Sequence, residues 1–232
     1  MGLGIKSRIL WKWQELTGQQ QRFGAGYYNW QSKRIRAMLD HYGHEFFAGK
    51  SIAELGAGFG DIGGFFAMLG SRVICLEGRS INVDEIVKRY PAVVAMEFDC
   101  NNPLPMECRK MDFIIHFGVL YHLRDPAASL RDACRCSSEM VLETECADST
   151  DPNFFRPTKE ATYVKDHALD GVGCSPSPAF VERILTEEGM TFTRIEDARC
   201  NADDHVYDWP VKNTGATRKG YRKMWFVKRH NL

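Results

Sequence analysis

The chain has 232 residues and a mass of 26.5 kDa, which is enough for one α/β domain with additions and short for two separately packed domains. Thirty basic residues balance thirty acidic ones, so no overall charge favours nucleic acid or an acidic surface. No run of about 18 apolar residues could cross a bilayer, and the N-terminus lacks the apolar core of a signal peptide. We therefore expect one cytoplasmic domain over residues 1–232, without a membrane partner.

The cysteines give a further indication of compartment. There are eight, several of them in apolar runs such as "RVICLEG", and no C-x-x-C pair is present for zinc. In a chain without a secretory signal this pattern favours buried free thiols in a reducing compartment over disulfides.

The first 48 residues predict helical structure ahead of the first strand. Residues 3–16 place Ile5, Ile9 and Trp13 near one face of an amphipathic helix, which favours packing on the protein itself or on a partner over a membrane. A second helix is expected from about Asn29, after the aromatic segment "QRFGAGYYNW". We interpret residues 1–48 as an N-terminal helical cap.

From residue 51 onward, predicted strands and helices alternate. This rhythm predicts a parallel sheet with helices on both faces. The last two strands lie close enough in sequence to pair antiparallel without a helix between them. Irregular segments at 145–177 and 200–217 are expected to be substrate-side insertions at the carboxyl edge of the sheet. The predicted strands are 51–55, 72–76, 93–97, 111–116, 139–144, 190–197 and 222–228, and the predicted helices are about 61–69, 81–89, 126–135 and 178–188.

The stretch "SIAELGAGFGDIGGFF" predicts a strand, a glycine-rich turn and a helix. Its glycines fit two ligand-binding patterns, G-x-G-x-x-G from Gly58 and G-x-G-x-G from Gly56. The flanking acids, Glu54 and Asp61, argue against a phosphate-binding turn. A diphosphate between them would meet like charge at a cost of about 4 kcal/mol at about 4 Å. A ligand without phosphate and with positive charge, such as S-adenosylmethionine, is compatible with both acids.

Two further acids end the second and third predicted strands. Glu77 lies where a carboxylate accepts hydrogen bonds from both hydroxyls of a ribose, as in nucleoside sites. Asp99 is placed to accept a hydrogen bond from an adenine amino group, and Cys100 offers its backbone N–H to the ring. The two strand ends therefore indicate a nucleoside.

The motifs together resemble those of the class I S-adenosylmethionine-dependent methyltransferases, over about residues 50–145 and 178–228. "ELGAGFG" is similar to the first motif of that family, and Glu77 and Asp99 match its second- and third-strand acids. "DFIIHFGVLYHLRDPAASLRDACR" resembles the branch with the ubiquinone-pathway O-methyltransferases and the wobble-uridine carboxymethyl transferases. The resemblance implies a doubly wound, Rossmann-like α/β sheet, mostly parallel with an antiparallel last strand, and S-adenosylmethionine as cofactor.

The resemblance also implies a set of cofactor-binding residues at the strand ends and in the cap. The three clustered aromatics of the cap, Tyr27, Tyr28 and Trp30, fit a local core equally well. The expected set is Glu54, Gly56, Ala57, Gly58, Phe59, Gly60, Glu77, Gly78, Arg79, Asp99, Cys100 and Phe117, with Tyr28, Trp30 and Arg34 from the cap.

A hydroxyl acceptor needs a group to take its proton. His122, in "GVLYHL", is the first candidate because imidazole titrates near neutral pH; closing the pocket is its alternative role. Tyr121 and Glu145 are its rivals. A metal site at His122, Glu145 and His167 is conceivable, but the spacing of these residues matches no known metal-binding motif, so no metal is expected. Weaker candidates for contact with the acceptor are His116, His167, His205 and Glu143.

These features predict a methyltransferase acting on an oxygen of a small molecule, such as a sugar or natural-product intermediate. An RNA modification enzyme, for instance one acting on tRNA, is the alternative, and it would need a continuous basic groove. A third hypothesis is a scaffold that binds the cofactor without catalysis. We expect a monomer or a homodimer with a small-molecule substrate, and nucleic acid is the less favoured partner.

Overall fold

The computed structural model describes residues 25–164, 167–202 and 204–230. The predicted helix at 3–16 lies outside these residues. The first described element is helix α1, Ala25–Tyr42, which ends before the one-turn 3-10 helix His44–Phe47. Among the helices of the described ranges, none combines the length and the apolar character needed to cross a membrane.

In the described part of the chain, nine strands follow the cap helix. They are β1 (Ser51–Leu55), β2 (Arg72–Glu77), β3 (Val94–Glu97), β4 (Phe113–Phe117), β5 (Glu139–Ala147), β6 (Phe155–Lys159), β7 (Val172–Pro176), β8 (Met190–Ile195) and β9 (Thr217–Arg229). Seven form one sheet in the order β3-β2-β1-β4-β5-β9-β8. Strands β1 to β5 are parallel, and β9 lies antiparallel between β5 and β8. This confirms the predicted doubly wound, mostly parallel sheet with an antiparallel last strand.

Four helices connect the strands of the large sheet. Two of them begin with a proline that follows a capping side chain: Asp125 accepts the N–H of Ala128, and Ser177 accepts the N–H of Phe180, each at 2.9 Å. Such caps satisfy N–H groups that have no partner inside the helix. The helices are α2 (Asp61–Met68), α3 (Ser80–Arg89), α4 (Pro126–Cys136) and α5 (Pro178–Glu187).

The core lies in two layers, one on each face of the large sheet. Successive strand residues point to opposite faces, so Ile52 of β1 packs with apolar residues of α1, α2 and α3. Leu55 points the other way and packs with α4 and α5. All eight cysteines are free and buried, several of them within these two layers.

The segment 145–177, expected to be irregular, contains regular structure. Strand β5 continues to Ala147, and β6 and β7 pair antiparallel as a separate two-stranded sheet. Pro157 lies inside β6 opposite Cys174, where a proline argues against a strand because it cannot donate to the ladder. The small sheet tolerates this proline because β6 has only one strand neighbour. We refer to residues 155–176 as the hairpin.

Gly63, in α2, lies directly against the sheet. A Cβ at this position would be 2.6 Å from Glu54 Oε2 and 2.7 Å from Cys75 Sγ, both buried in β1 and β2. We expect Gly63→Ala to lower the free energy of unfolding by about 1–3 kcal/mol, because overpacking outweighs the gain in helix propensity. Urea denaturation measures this, with Met68→Ala in the same helix as the control, since Met68 is 75% exposed. Equal stability of Gly63→Ala and wild type would contradict the close packing of α2.

Candidate active site

A cleft opens at the carboxyl ends of β1 to β4, where the order of the strands reverses between β1 and β4. Open α/β sheets bind ligands at this point. The cleft contains about 860 Å³ of space, part of it open to solvent. Ten of the predicted cofactor residues line it: Trp30, Arg34, Gly56, Gly58, Glu77, Gly78, Arg79, Asp99, Cys100 and Phe117.

The glycine turn after β1 forms one wall of the cleft. Gly56 has a positive φ of 63°, and a Cβ there would lie 2.9 Å from the side chain of Val119. The N–H groups of the turn are bonded within the protein: Gly58 donates to Glu77 Oε2 at 2.8 Å, Ala57 to the Leu76 carbonyl and Gly60 to the Ala57 carbonyl. These donors are therefore already occupied.

Glu77 joins the turn to the end of β2. Besides the Gly58 N–H, its carboxylate accepts the Arg79 N–H and the Asn82 side chain, each at 3.1 Å. Burial raises the pKa of Glu77 above its ordinary value, against the lowering effect of these hydrogen bonds and of the Arg79 charge. The side chain lies at the cleft wall with its carboxylate held in one orientation. Asn82 lines the cleft too and was missed by the sequence prediction.

Asp99 and Cys100 follow β3. Asp99 Oδ1 accepts the backbone and side-chain N–H groups of Asn101, both at 2.9 Å. Burial raises the pKa of the Cys100 thiol to about 12, so this cysteine is neutral. Phe98 and Asn101 also line this end of the cleft and had no signal in the sequence beyond their position after β3.

The two acids that flank the glycine turn face the protein and not the cleft. Glu54 is 4% exposed, and its Oε2 accepts the Gly63 N–H at 2.9 Å beside Cys75 Sγ at 3.3 Å. Burial raises its pKa to about 7. Asp61 Oδ1 accepts the hydroxyl of Tyr90 at 2.7 Å. The expectation that these acids surround the ligand is thus corrected, since the side chains of alternate strand residues point to opposite faces and Glu54 points toward α2.

Four more of the predicted residues also lie away from the cleft lining. Ala57 and Gly60 hold the turn through the backbone bonds given above. The Phe59 ring lies 4.7 Å from the guanidinium carbon of Arg89, and Tyr28 is 51% exposed on α1. These four residues were predicted to contact the cofactor, but they do not line the cleft.

The cap helix contributes an aromatic and a basic side chain to the cleft. The guanidinium of Arg34 lies 3.7 Å from the ring centroid of Trp30 and 5.0 Å from that of Phe117. Trp30 and Arg34 are four residues apart and share one face of α1, which brings both to the cleft. The cap therefore closes one side of the site.

Behind the cap residues lies a buried charge network around Glu143. This carboxylate is fully buried and pairs with both Arg34 and Arg222, with Arg222 Nη1 3.2 Å from Oε1. The Tyr207 hydroxyl donates to the same Oε1 at 3.2 Å. Burial alone would raise the pKa of Glu143, but the charges of Arg34 and Arg222 lower it to about 2.

Arg222 carries this network to the cleft surface. Its Nη2 donates to the Tyr121 hydroxyl at 2.9 Å, and both residues line the cleft together with His205. Burial, helped by the Arg222 charge, lowers the pKa of His205 to about 4, so this histidine is neutral near neutral pH. Arg222 lies in β9 and was missed by the sequence prediction.

His122 ends the one-turn helix Leu120–His122 after β4 and lines the cleft. Its Nδ1 lies 2.6 Å from Oε2 of Glu160, a residue of the hairpin that the sequence prediction missed. Its neighbour His167 also lines the cleft, with 6.4 Å between the ring centroids. Glu145, the third predicted catalytic residue, lies outside the cleft lining and accepts the Gly220 N–H at 3.3 Å.

The alternative metal site is not assembled. Within 25–164, 167–202 and 204–230, no three His, Cys, Asp or Glu side chains lie close enough to hold an ion. His116 is fully buried in β4, where burial lowers its pKa to about 4. It packs in the sheet and does not reach the cleft.

Parts of the sequence and the fold are similar to known proteins. No protein-family model matches the chain. A curated relative, the tRNA U34 carboxymethyltransferase of Dichelobacter nodosus (strain VCS1703A), is 30% identical over 132 residues, which are 52% of this chain. The match spans 40% of that relative, so the chain covers about two fifths of its length.

Solved structures resemble the whole sheet. The N-terminal domain of EvdMO1 with SAH bound has a TM-score of 0.64 at 20% identity, covering 87% of this chain and 81% of that one. Magnesium protoporphyrin IX methyltransferase (ChlM) from Synechocystis PCC 6803 with bound SAM has a TM-score of 0.61 at 14% identity, covering 99% of both chains. An S-adenosylmethionine-dependent methyltransferase from Mesorhizobium loti has a TM-score of 0.59 at 16% identity, covering 84% of this chain and 96% of that one. These likenesses confirm the expected fold.

Proposed function

We propose that this chain, which has the fold of the class I S-adenosylmethionine-dependent methyltransferases, transfers a methyl group from that cofactor to an oxygen atom of a small acceptor. The observation that carries the proposal is that one cleft joins the glycine turn and Glu77 at one end to His122 at the other. A binding end for a nucleoside and a polar end for an acceptor are what such a transfer needs.

The cofactor end of the cleft fits a nucleoside without phosphates. Nucleotide-binding turns hold phosphates through free backbone N–H groups. Here the N–H groups of Ala57, Gly58 and Gly60 already donate to acceptors of the protein. The Glu77 carboxylate, which accepts the Gly58 N–H, lies against the turn. We assign Glu77 to the ribose hydroxyls and Asp99 to the adenine amino group. With these assignments, the turn from Gly56 to Gly60 lies along the methionine end of the cofactor. Glu54 shapes this turn from the buried side, away from the cleft.

When bound, S-adenosylmethionine supplies a methyl group activated by a sulfonium. The residues of this chain align the acceptor, exclude water and take up a proton. His122 is the proposed proton acceptor because it lines the cleft beyond Gly118, the residue that follows β4. Trp30, Tyr121 and His205 surround the same end and present aromatic and polar groups to an acceptor of the size of a sugar or a phenol.

A tRNA acceptor is the second candidate, favoured by the similarity to a protein named tRNA U34 carboxymethyltransferase. The balanced charge of the chain argues against a large phosphate-binding surface. Methyl transfer from labelled cofactor to a panel of sugars and phenols, with tRNA alongside, separates the two. Activity on tRNA that falls steeply with added salt would replace the small-molecule proposal.

Calorimetry with S-adenosylhomocysteine tests the cofactor site directly. We expect wild type to bind it and Glu77→Ala to bind more weakly by about 1–3 kcal/mol, since buried hydrogen-bonding groups lose their partner. Glu97→Ala is the matched control, because Glu97 pairs with Glu77 in register on β3 and is exposed. Absence of binding to wild type would overturn the proposed function, and unchanged affinity of Glu77→Ala would overturn the assignment of the ribose.

A further inference from the structure

The contact between His122 and Glu160 joins the sheet to the hairpin. His122 follows β4, and Glu160 follows β6 of the hairpin, 38 residues later. Their side chains are 16% and 12% exposed, and Nδ1 lies 2.6 Å from Oε2. A hydrogen bond this short between partly buried groups fixes the ring in one orientation.

The hairpin holds the Glu160 carboxylate in place independently of His122. The Ala168 N–H donates to the same Oε2 at 2.7 Å, and the Glu160 N–H donates to the Gly171 carbonyl at 2.9 Å. Gly173 leaves the space that the carboxylate occupies, since a Cβ there would lie 2.2 Å from Glu160 Oε1. Contacts within the hairpin therefore fix the position of the Glu160 carboxylate.

The charge state of Glu160 determines which nitrogen of His122 carries the proton. Burial alone would raise the pKa of Glu160, but the hydrogen bond and charge of His122 hold it below its ordinary value. An ionised carboxylate only accepts hydrogen bonds, so Nδ1 must donate and the neutral ring keeps its lone pair on Nε2. Nε2 is then the ring atom available to the cleft that His122 lines.

We propose that Glu160 is a positioning residue that fixes the His122 ring with its proton on Nδ1, so that Nε2 accepts the proton of the acceptor hydroxyl. This rests on the proposed function, in which the acceptor is a hydroxyl. Methylation of a hydroxyl releases one proton; it passes from the acceptor oxygen to Nε2, and water then removes it. While the ring is charged, Glu160 stabilises it across the 2.6 Å contact.

Other charged and titratable groups surround the ring without contacting Nδ1. The Tyr121 ring lies 3.9 Å from the His122 ring, between centroids, and the Tyr121 hydroxyl is bonded to Arg222. His167 lies beyond, and its Nδ1 accepts the Ala161 N–H at 3.2 Å. Burial raises the pKa of the Glu145 carboxylate, and the nearby charges of Arg222 and His122 act against this rise. Since Arg222 and Glu145 act on the ring with opposite signs, we expect Glu160 to dominate.

Glu160→Gln tests the proposal, because glutamine keeps the shape of the side chain and removes its charge. In the protein without ligands, ¹⁵N NMR of His122 should report the proton on Nδ1 in wild type and lose this preference in Glu160→Gln. With a hydroxyl acceptor, kcat should fall about ten- to hundredfold at little change in KM.

Two comparisons complete the experiment. Asp170→Asn makes the same chemical change in the same hairpin, at a carboxylate paired with Arg124, and should leave NMR signals and kcat as in wild type. The double variant Glu160→Gln/His122→Gln should be no slower than His122→Gln alone, because Glu160 acts through the histidine. Binding of S-adenosylhomocysteine should be retained in every variant.

The outcomes distinguish this inference from the function on which it rests. If wild type fails to bind S-adenosylhomocysteine, the proposed function fails, while the NMR result still reports on the pair. If wild type binds and methylates but Glu160→Gln keeps the wild-type tautomer and the wild-type kcat, the positioning role is wrong. Additive losses in the double variant would also overturn it.

Discussion

Glu143→Ala is expected to lower the free energy of unfolding by about 3–5 kcal/mol, the range for removing one partner of a buried ion pair. The substitution leaves the guanidiniums of Arg34 and Arg222, 2% and 6% exposed, without their shared counter-ion. Urea denaturation at neutral pH measures the loss. Glu187→Ala is the control, because Glu187 pairs with Arg131 and Arg183 at the surface, where solvent screens the charges, and should change stability far less.

The same variant has a predicted pH dependence. The pKa of Glu143 is lowered from 4.5 to about 2 in the folded protein, so its ionised form favours folding at pH values above 4.5. This contribution is lost as the pH falls from 4.5 through about 2. The stability difference between wild type and Glu143→Ala should therefore narrow in that window. A difference of less than about 1 kcal/mol at neutral pH, or one that widens on acidification, would contradict the network.

Glu54→Gln is expected to stabilise the protein at alkaline pH, which is the opposite of the usual effect of removing a buried polar group. The pKa of Glu54 is raised from 4.5 to about 7, so the folded state holds a proton that the unfolded state has released. The contribution of Glu54 to the free energy of unfolding is fully present below pH 4.5 and is lost as the pH rises through about 7. Linkage sets the loss at about 2–3 kcal/mol by pH 8.

Glutamine retains an oxygen to accept the Gly63 N–H and has no charge to lose. Urea denaturation at pH 5 and pH 8 should show a gain for Glu54→Gln over wild type that is much larger at pH 8 than at pH 5. Glu97→Gln, at the exposed end of β3, should show no such gain. If Glu54→Gln is the less stable protein at both pH values, the buried position of the carboxyl group is wrong.

The sheet could be predicted because its signals are local. "SIAEL" and "RVICLE" are short apolar strands bounded by glycines, and each predicted strand from 51 to 144 overlaps an observed one. Helix α4 begins at Pro126, directly after the capping residue Asp125, an N-terminal signal that the sequence itself contains. The antiparallel pairing of β9 with β8 was expected from their closeness in the sequence. The pairing of β9 with β5 joins residues far apart in the chain and was not predicted.

The site was predicted less completely, because its decisive contacts join distant residues. Glu160 meets His122 across 38 residues, and Glu143 meets Arg34 across 109 and Arg222 across 79. No spacing in the sequence indicates these pairs. The inward direction of Glu54 did have a signal: it shares a face of β1 with Ile52, because strand side chains alternate, and that face packs against α2.

The internal bonding of the glycine turn has a consequence for how ligands are received. Because Ala57, Gly58 and Gly60 already donate to Leu76, Glu77 and Ala57, the loop is ordered when the chain folds. Its conformational entropy is then lost at folding and not on ligand association, so the turn is a preorganised surface. Recognition there depends on the shape of the incoming molecule, and a triphosphate could not use these three N–H groups without displacing their partners.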